Sequence, residues 1–217
     1  MDLEQARFNM IEQQIRPWDV LDAHVLHLLS VVKREDFVPL AHKALAFVDM
    51  EIPLPGGQVM LAPRVEARLL QDLGVQKHEK VLEIGSGSGY MAALLAHRAQ
   101  RVITLEIDAA LGTTARTNLQ RAGIHNAEVR HLDGSRGVPA EAPFDIILLS
   151  GSLAEVPQSL LAHLKVGGRL AAIVGDEPMM RATFISRLGD TQFRTMQPWD
   201  TVTMRLRNFA EPSRFRF

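Results

Sequence analysis

The sequence predicts an α/β fold: a Rossmann-like, doubly wound, mostly parallel sheet with helices on both faces, an N-terminal helical extension and antiparallel strands at the C-terminus. Three observations carry that prediction. From residue 80 onward, short apolar runs alternate with helical stretches, the texture of a parallel sheet whose strands are joined by helices. Within them, "VLEIGSGSGYMAALLA" passes from a buried strand through a glycine-rich turn directly into a helix. The 217 residues suffice for one large domain, or one domain with an appendage, and are short for two.

The elements follow in chain order. Residues 3–16 place Leu3, Phe8, Ile11 and Ile15 near helical spacing, and Pro17 stops that helix or starts the next element. "DVLDAHVLHLLSVV" repeats the pattern, with Val20, Leu21, Val25, Leu28 and Leu29 on one side. Pro39, Pro53 and Pro55 punctuate "REDFVPLAHKALAFVDMEIPLPGG" and predict extended or turning backbone. Val65, Leu69, Leu70 and Leu73 then form a helix face, and Gly74 is placed to end it. Strands are expected at 80–85, 101–107, 127–133, 144–150 and 168–175, with helices near 89–98, 109–122 and 155–164. Beyond residue 176, "MMRATFISRLG" fits a helix, while "TQFRTMQPWDTVTMRLRNF" has the β-branched and aromatic content of one strand, or of two in an antiparallel hairpin. The basic "RLRNFAEPSRFRF" reads as a solvated, partly frayed terminus.

Composition narrows the function classes. No segment approaches the roughly 18 consecutive apolar residues of a membrane span, and the N-terminus lacks the basic-then-apolar order of a secretory signal. Cysteine is absent, which removes disulfides and thiolate metal sites and makes the cytoplasm the expected location. With 24 Lys+Arg against 25 Asp+Glu, no general field attracts nucleic acid. The eight histidines show no metal-ligand spacing, so no metal is expected.

The chemistry sits in the glycine loop and the strand ends beyond it. Gly85, Gly87 and Gly89 let a ligand approach bare backbone N–H groups at a helix N-terminus. Gly87, Gly89 and Ala92 also satisfy the dinucleotide pattern, so a nicotinamide or flavin site stays open at this point. Glu106 ends the second strand about twenty residues on, where a carboxylate can accept both hydroxyls of a ribose. Asp133 ends the third, and Gly134 after it makes a natural edge for an adenine ring.

"VLEIGSGSGY", "HNAEVRHLDGSRGVPAEAPFDIILLS" and "LLAHLKVGGRLAAIVG" resemble the class I S-adenosylmethionine-dependent methyltransferases, specifically the protein-L-isoaspartate O-methyltransferases. "ARFNMIEQQI" and "VVKREDFVPLAHKALAFVDMEIPL" extend the resemblance upstream, so that it covers roughly residues 6–175. It implies a single methyltransferase domain over 1–217, with a helical cap and substrate loop at 1–75 and a cofactor-binding core at 76–217. It further implies that Gly85, Ser86, Gly87 and Gly89 surround the methionine part of S-adenosylmethionine, that Glu106 holds the ribose, and that Asp133 and Gly134 hold the adenine. The expected acceptor is an isoaspartyl carboxylate in a protein or peptide.

One stretch departs from the family pattern. The substrate loop of the family reads Gly-Gln-Thr-Ile-Ser before a proline; here Gly57, Gln58 and Pro63 fit, but the threonine position is Val59 and the serine position, usually assigned a catalytic role, is Leu61. An isoaspartyl carboxylate, with a reference pKa near 4, is already ionised at pH 7, so the missing hydroxyls need only have oriented it. Weakened isoaspartate transfer, transfer to another small acceptor, and cofactor binding without catalysis are the three readings this leaves. Ser152, or Ser150, at the end of the fourth strand is a candidate replacement donor, against the alternative that Ser152 caps the next helix. Arg64 is a weaker candidate for a substrate carboxylate, and Trp18 and Trp199 read as packing residues.

Overall fold

A computed structural model describes residues 2–211. Helix α1 (Leu3–Met10) starts at Asp2, whose carboxylate accepts from the N–H groups of Glu4 and Gln5. The predicted single helix over 3–16 is instead α1 followed by a π turn at Ile11–Ile15 and a 3-10 turn at Arg16–Trp18. Pro17 supplies the reason: it has no N–H to continue the helical ladder. Helix α2 (Ala23–Val31) is capped by Asp22. Two 3-10 turns lead to a small antiparallel hairpin of β1 (Ile52–Leu54) and β2 (Gln58–Met60), the shape taken by the proline- and glycine-rich loop. Helix α3 (Pro63–Leu73) follows, with proline in its first turn and Gly74 at its end.

The core then alternates β3 (Lys80–Ile84), α4 (Tyr90–Arg98), β4 (Arg101–Glu106), α5 (Ala109–Arg121), β5 (Ala127–His131), β6 (Phe144–Leu153), the single-turn α6 (Gln158–Leu161), β7 (Leu164–Asp176), β8 (Met179–Arg187) and β9 (Phe193–Thr201). Seven strands form one sheet in the order β5-β4-β3-β6-β7-β8-β9. The first five run parallel; β8 is antiparallel to both of its neighbours. The order reverses between β3 and β6, and such a switch point opens a crevice at the strand C-termini.

Alternate residues of each central strand feed two apolar layers. Val81, Val102, Ile146 and Leu148 face a layer shared with α2, α3, α4 and α5. Leu82, Ile103, Ile147 and Leu149 face the other, which α6, Val138 and the partly buried Leu206 and Phe209 cover. Helix α4 lies under the N-terminal helices, so residues 90–96 are all buried, and a helix buried all round has no polar face.

Two expectations change here. "MMRATFISRLG" is the interior strand β8, not a helix: Met180, Ala182 and Phe184 face one layer with a period of two, and both edges are paired. The helix expected over 155–164 shrinks to α6 because β7 begins at Leu164, paired with Phe144. The tail is also not frayed through residue 211. Residues 202–209 form a strap bound to the end of β6, with Ser152 N–H donating to Met204 O at 2.8 Å and Leu206 N–H to Ser152 O at 2.9 Å. The rest of the predicted basic tail, 212–217, lies outside the described residues.

Candidate functional site

The crevice at the switch point gathers the glycine loop and the acidic strand ends. The N–H groups of Gly85 and Ser86 both donate to Leu105 O, at 2.9 and 3.1 Å, which fixes the loop to the end of β4. Gly89 has φ +87°, and a Cβ there would stand 3.2 Å from Ala115 O, so only glycine lets α4 start this close to α5. Glu106 accepts from Gly87 N–H at 2.8 Å and from Asp108 N–H at 3.1 Å. Asp133 accepts from Ser135 N–H and from the Asn208 side chain, each at 2.9 Å. Burial raises the Asp133 pKa, but these hydrogen bonds and the charge of Arg136 outweigh it and hold the carboxyl below its ordinary value.

A cavity joins these groups. Gln58, Gly85, Glu106, Ile107, Asp133 and Gly134 line it from the hairpin and sheet, and Leu206, Arg207 and Phe209 from the strap. The cavity holds about 40 Å³ with the strap in place, room for a few water molecules. Its lining, carboxylates at two strand ends, bare backbone at Gly85 and apolar walls, has the chemistry to bind a nucleoside joined to an amino acid, as in S-adenosylmethionine. Of the residues named for the cofactor, Gly85, Glu106, Asp133 and Gly134 line this cavity; Ser86 and Gly87 line the smaller one beside it, and Gly89 packs on Ala115. Ser86 is buried, with its hydroxyl 2.6 Å from that of Thr104.

Beneath the loop lies a carboxylate that sequence reasoning missed. Glu83 is fully buried and accepts from Thr104 Oγ1 at 2.6 Å and Ser150 Oγ at 2.7 Å. Desolvation pushes its pKa up to about 8 against the pull of those hydroxyls. The available signal was an acid inside the apolar run "VLEIG", a placement that burial makes costly.

The hairpin covers this floor. A Cβ at Gly87 would meet Leu54 Cδ1 at 3.3 Å and Val59 O at 3.9 Å. Val59 and Leu61 line a cavity of about 20 Å³ together with Glu66, Glu83, Ser88 and Ser150, which is room for about one water molecule. Leu61 is only 4% exposed. Its carbonyl accepts from Arg34 Nη2 at 2.7 Å, and Arg34 also donates to Ala46 O at 3.1 Å and pairs with Glu66. Burial raises the Glu66 pKa, opposed by the Arg34 charge. Arg34 was also missed; its signal was the charged "KRED" just before the aromatic Phe37.

The serines separate. Ser150 faces the small cavity with Leu61. Ser152 is fully buried and its hydroxyl donates to Thr203 O at 2.7 Å, so it anchors the strap and is turned from the hairpin. Arg64 is likewise engaged elsewhere, paired with Asp49 at 3.0 Å and stacked 3.9 Å over Trp18. Trp199, on β9, packs into the apolar layer shared with α3 and donates to Asp72 at 2.8 Å. Among the described residues, no group of three or more His, Asp or Glu is arranged to hold a metal, and no helix is long and apolar enough to cross a membrane.

Comparison with known proteins converges on one family. The profile of protein-L-isoaspartate(D-aspartate) O-methyltransferase matches residues 5–203. A protein-L-isoaspartate O-methyltransferase 1 of Syntrophobacter fumaroxidans is 42% identical over 176 residues, covering 81% of this chain and 82% of its own. A protein-L-isoaspartate O-methyltransferase of Rhodopseudomonas palustris is 39% identical over 85% of each chain. Among solved structures, one described as a protein-L-isoaspartate O-methyltransferase gives a TM-score of 0.77 at 24% identity, over 92% of this chain and 65% of that one. A Plasmodium falciparum chain in complex with S-adenosyl-L-homocysteine gives 0.75 at 19% identity, over 94% and 97%. At those identities the structural likeness establishes the fold.

Proposed function

Since the chain belongs to the protein-L-isoaspartate(D-aspartate) O-methyltransferase family, we propose that its crevice binds S-adenosylmethionine and that the hairpin holds an isoaspartyl carboxylate of a protein or peptide for methyl transfer. The convergence of the glycine loop, Glu106 and Asp133 on one crevice beneath the hairpin carries this reading. The cofactor supplies a methyl group on a positively charged sulfur. The rest is positioning: Gly85, Ser86, Gly87 and Gly89 face the methionine part, Glu106 the ribose, Asp133 and Gly134 the adenine.

The acceptor carboxylate arrives ionised, so no protein base is needed, and the side chains act by alignment and by excluding water. Val59 and Leu61 cannot donate a hydrogen bond. Ser150 lines the same cavity, as do Ser86, Ser88 and Tyr90, and we assign Ser150 the orienting role that Ser152, tied to the strap, does not fill. Protonated Glu83 supports this assignment. A neutral carboxyl can donate to one of its two hydroxyl neighbours, which frees that hydroxyl's own proton for a ligand.

One observation favours a second reading, transfer to a different acceptor. Among the described residues, the small cavity under the hairpin is lined by two acids and no cation. Two measurements decide. Calorimetric titration shows binding of S-adenosylmethionine and none of NAD; failure to bind S-adenosylmethionine rejects both readings. Labelled methyl then passes to an isoaspartyl peptide and not to its aspartyl twin; transfer to neither by a cofactor-binding chain rejects the first reading and leaves another acceptor or cofactor binding without catalysis.

A further inference from the structure

The family match ends at residue 203, and the strap beyond it carries an arginine that reaches back across the crevice. Arg207 Nη2 donates to the carbonyl of Gly56 at 2.5 Å, at the tip of the hairpin. With its amide oxygen facing the guanidinium, Gln58 accepts from Nη2 at 2.8 Å and from Nε at 3.2 Å. The start of α5 closes the third side. Asp108 is held below its ordinary pKa by the Leu111 and Ala110 N–H groups, with Arg207 and His131 adding to the effect. Its Oδ2 would stand 3.2 Å from a Cβ at Gly56.

We propose that Arg207 is a positioning residue, a clasp that fastens the substrate hairpin to the C-terminal strap and thereby sets how fast the cofactor exchanges. The proposal rests on the crevice being the S-adenosylmethionine site. The strap lies on the crevice and not beside it: Leu206 Cδ2 would be 2.9 Å from a Cβ at Gly85, whose φ is +96°, and Leu206 Cγ 2.8 Å from one at Gly151. The fastened arrangement is also satisfied from within. Asn208 donates to Asp133 and Gly87 N–H to Glu106, so both carboxylates assigned to the adenosine already carry protein donors beside which a ligand must fit.

The strap is held at its near end, where Arg205 bridges to Ser152 and pairs with Asp176 at 2.5 Å. Along the strap, Thr203 Oγ1 also bonds Glu51 just before the hairpin, and Arg207 fastens the hairpin's tip. A molecule the size of an adenosine cannot leave from under Leu206 and Phe209 unless hairpin and strap part. At the hairpin's tip the planar guanidinium, bonded to oxygens of two hairpin residues, must then let go.

The test is stopped-flow displacement of bound S-adenosylhomocysteine from the full chain and from its Arg207→Ala and Arg207→Lys variants. Loss of these charge-assisted bonds is expected to speed dissociation about tenfold or more in R207A. R207K, which keeps the charge without the fork, falls between. Equal rates in wild type and R207A overturn the clasp. Hydrogen exchange provides a second reading that a general loss of stability would not imitate. Amides of 56–58 and 206–208 gain protection together when S-adenosylhomocysteine is added to wild type, and separately in R207A. Protection of one segment without the other in wild type overturns the proposal. A wild-type chain that binds no S-adenosylhomocysteine rejects the cofactor reading and the clasp with it, whereas binding with an unaltered variant rejects the clasp alone.

Discussion

Leu61, which the resemblance sets at the family's serine position, has its side chain in the core and its carbonyl held by Arg34. The position therefore has two roles, and only the backbone one survives the exchange of residue. Leu61→Ser should lower stability by about 2–4 kcal/mol, as removal of a buried leucine does, before any effect on chemistry. Urea denaturation measures this, and a loss under about 1 kcal/mol would show that the hairpin relaxes to close the gap. Glu83 gives the second residue-scale prediction. Its folded pKa, about 8, lies above its ordinary value of 4.5, so the native state holds a proton that the unfolded chain gives up as pH rises. Its contribution is full below about pH 4.5 and is lost as pH climbs to about 8, at up to about 1.4 kcal/mol per pH unit. Denaturation at pH 5.5, 7 and 8.5 should show stability falling in wild type and a shallower slope in Glu83→Gln; equal slopes would mean Glu83 is ionised throughout. Neither role was legible from residue type. The apolar run showed that Glu83 would be buried but not that two hydroxyls would meet it, since Thr104 and Ser150 come from the neighbouring strands β4 and β6.

At the scale of elements, the hairpin, α3 and the N-terminal turns are joined through one guanidinium. Arg34 is fully buried, reaches Ala46, Leu61 and Glu66, and lies 5.1 Å from the Tyr90 ring centroid. Arg34→Met should cost about 3–5 kcal/mol, because Glu66 is then buried without its partner. Hydrogen exchange should show faster opening of residues 58–62 than of the β3 and β4 strands; uniform acceleration would mean that Arg34 supports the whole core equally. The strands and helices of the cofactor half were readable because each carries its period locally. The strand β8 was not, since "MMRATFISR" opens on Met, Arg and Ala, residues at home in helices, and its pairing on both edges comes from strands elsewhere in the chain. The π turn after α1 and the shortened α6 are set by Pro17 and by the early start of β7, which are matters of boundary and not of type.

For the molecule as a whole, a ligand that binds only the folded state must stabilise it. S-adenosylmethionine at about 100 times its dissociation constant should add about 2.7 kcal/mol and raise Tm by roughly 5–10 °C for a chain of this size, with NAD producing no shift. Thermal scanning at several concentrations checks this, and a flat response to S-adenosylmethionine counts against the crevice as its site. The sequence by itself determined the fold class, the order of the cofactor-binding elements and the family. Glycine turns, apolar periods and acids at strand ends are written in short windows, and each acts over a few residues. Tertiary structure alone decided that Ser150 and not Ser152 faces the hairpin, that Arg34 holds the Leu61 carbonyl, and that residues 202–209 fold back as a strap across the crevice. Each of those contacts joins residues far apart in the chain, Arg207 and Gly56 the farthest. Their pairing depends on how the whole sheet closes, which no local pattern records.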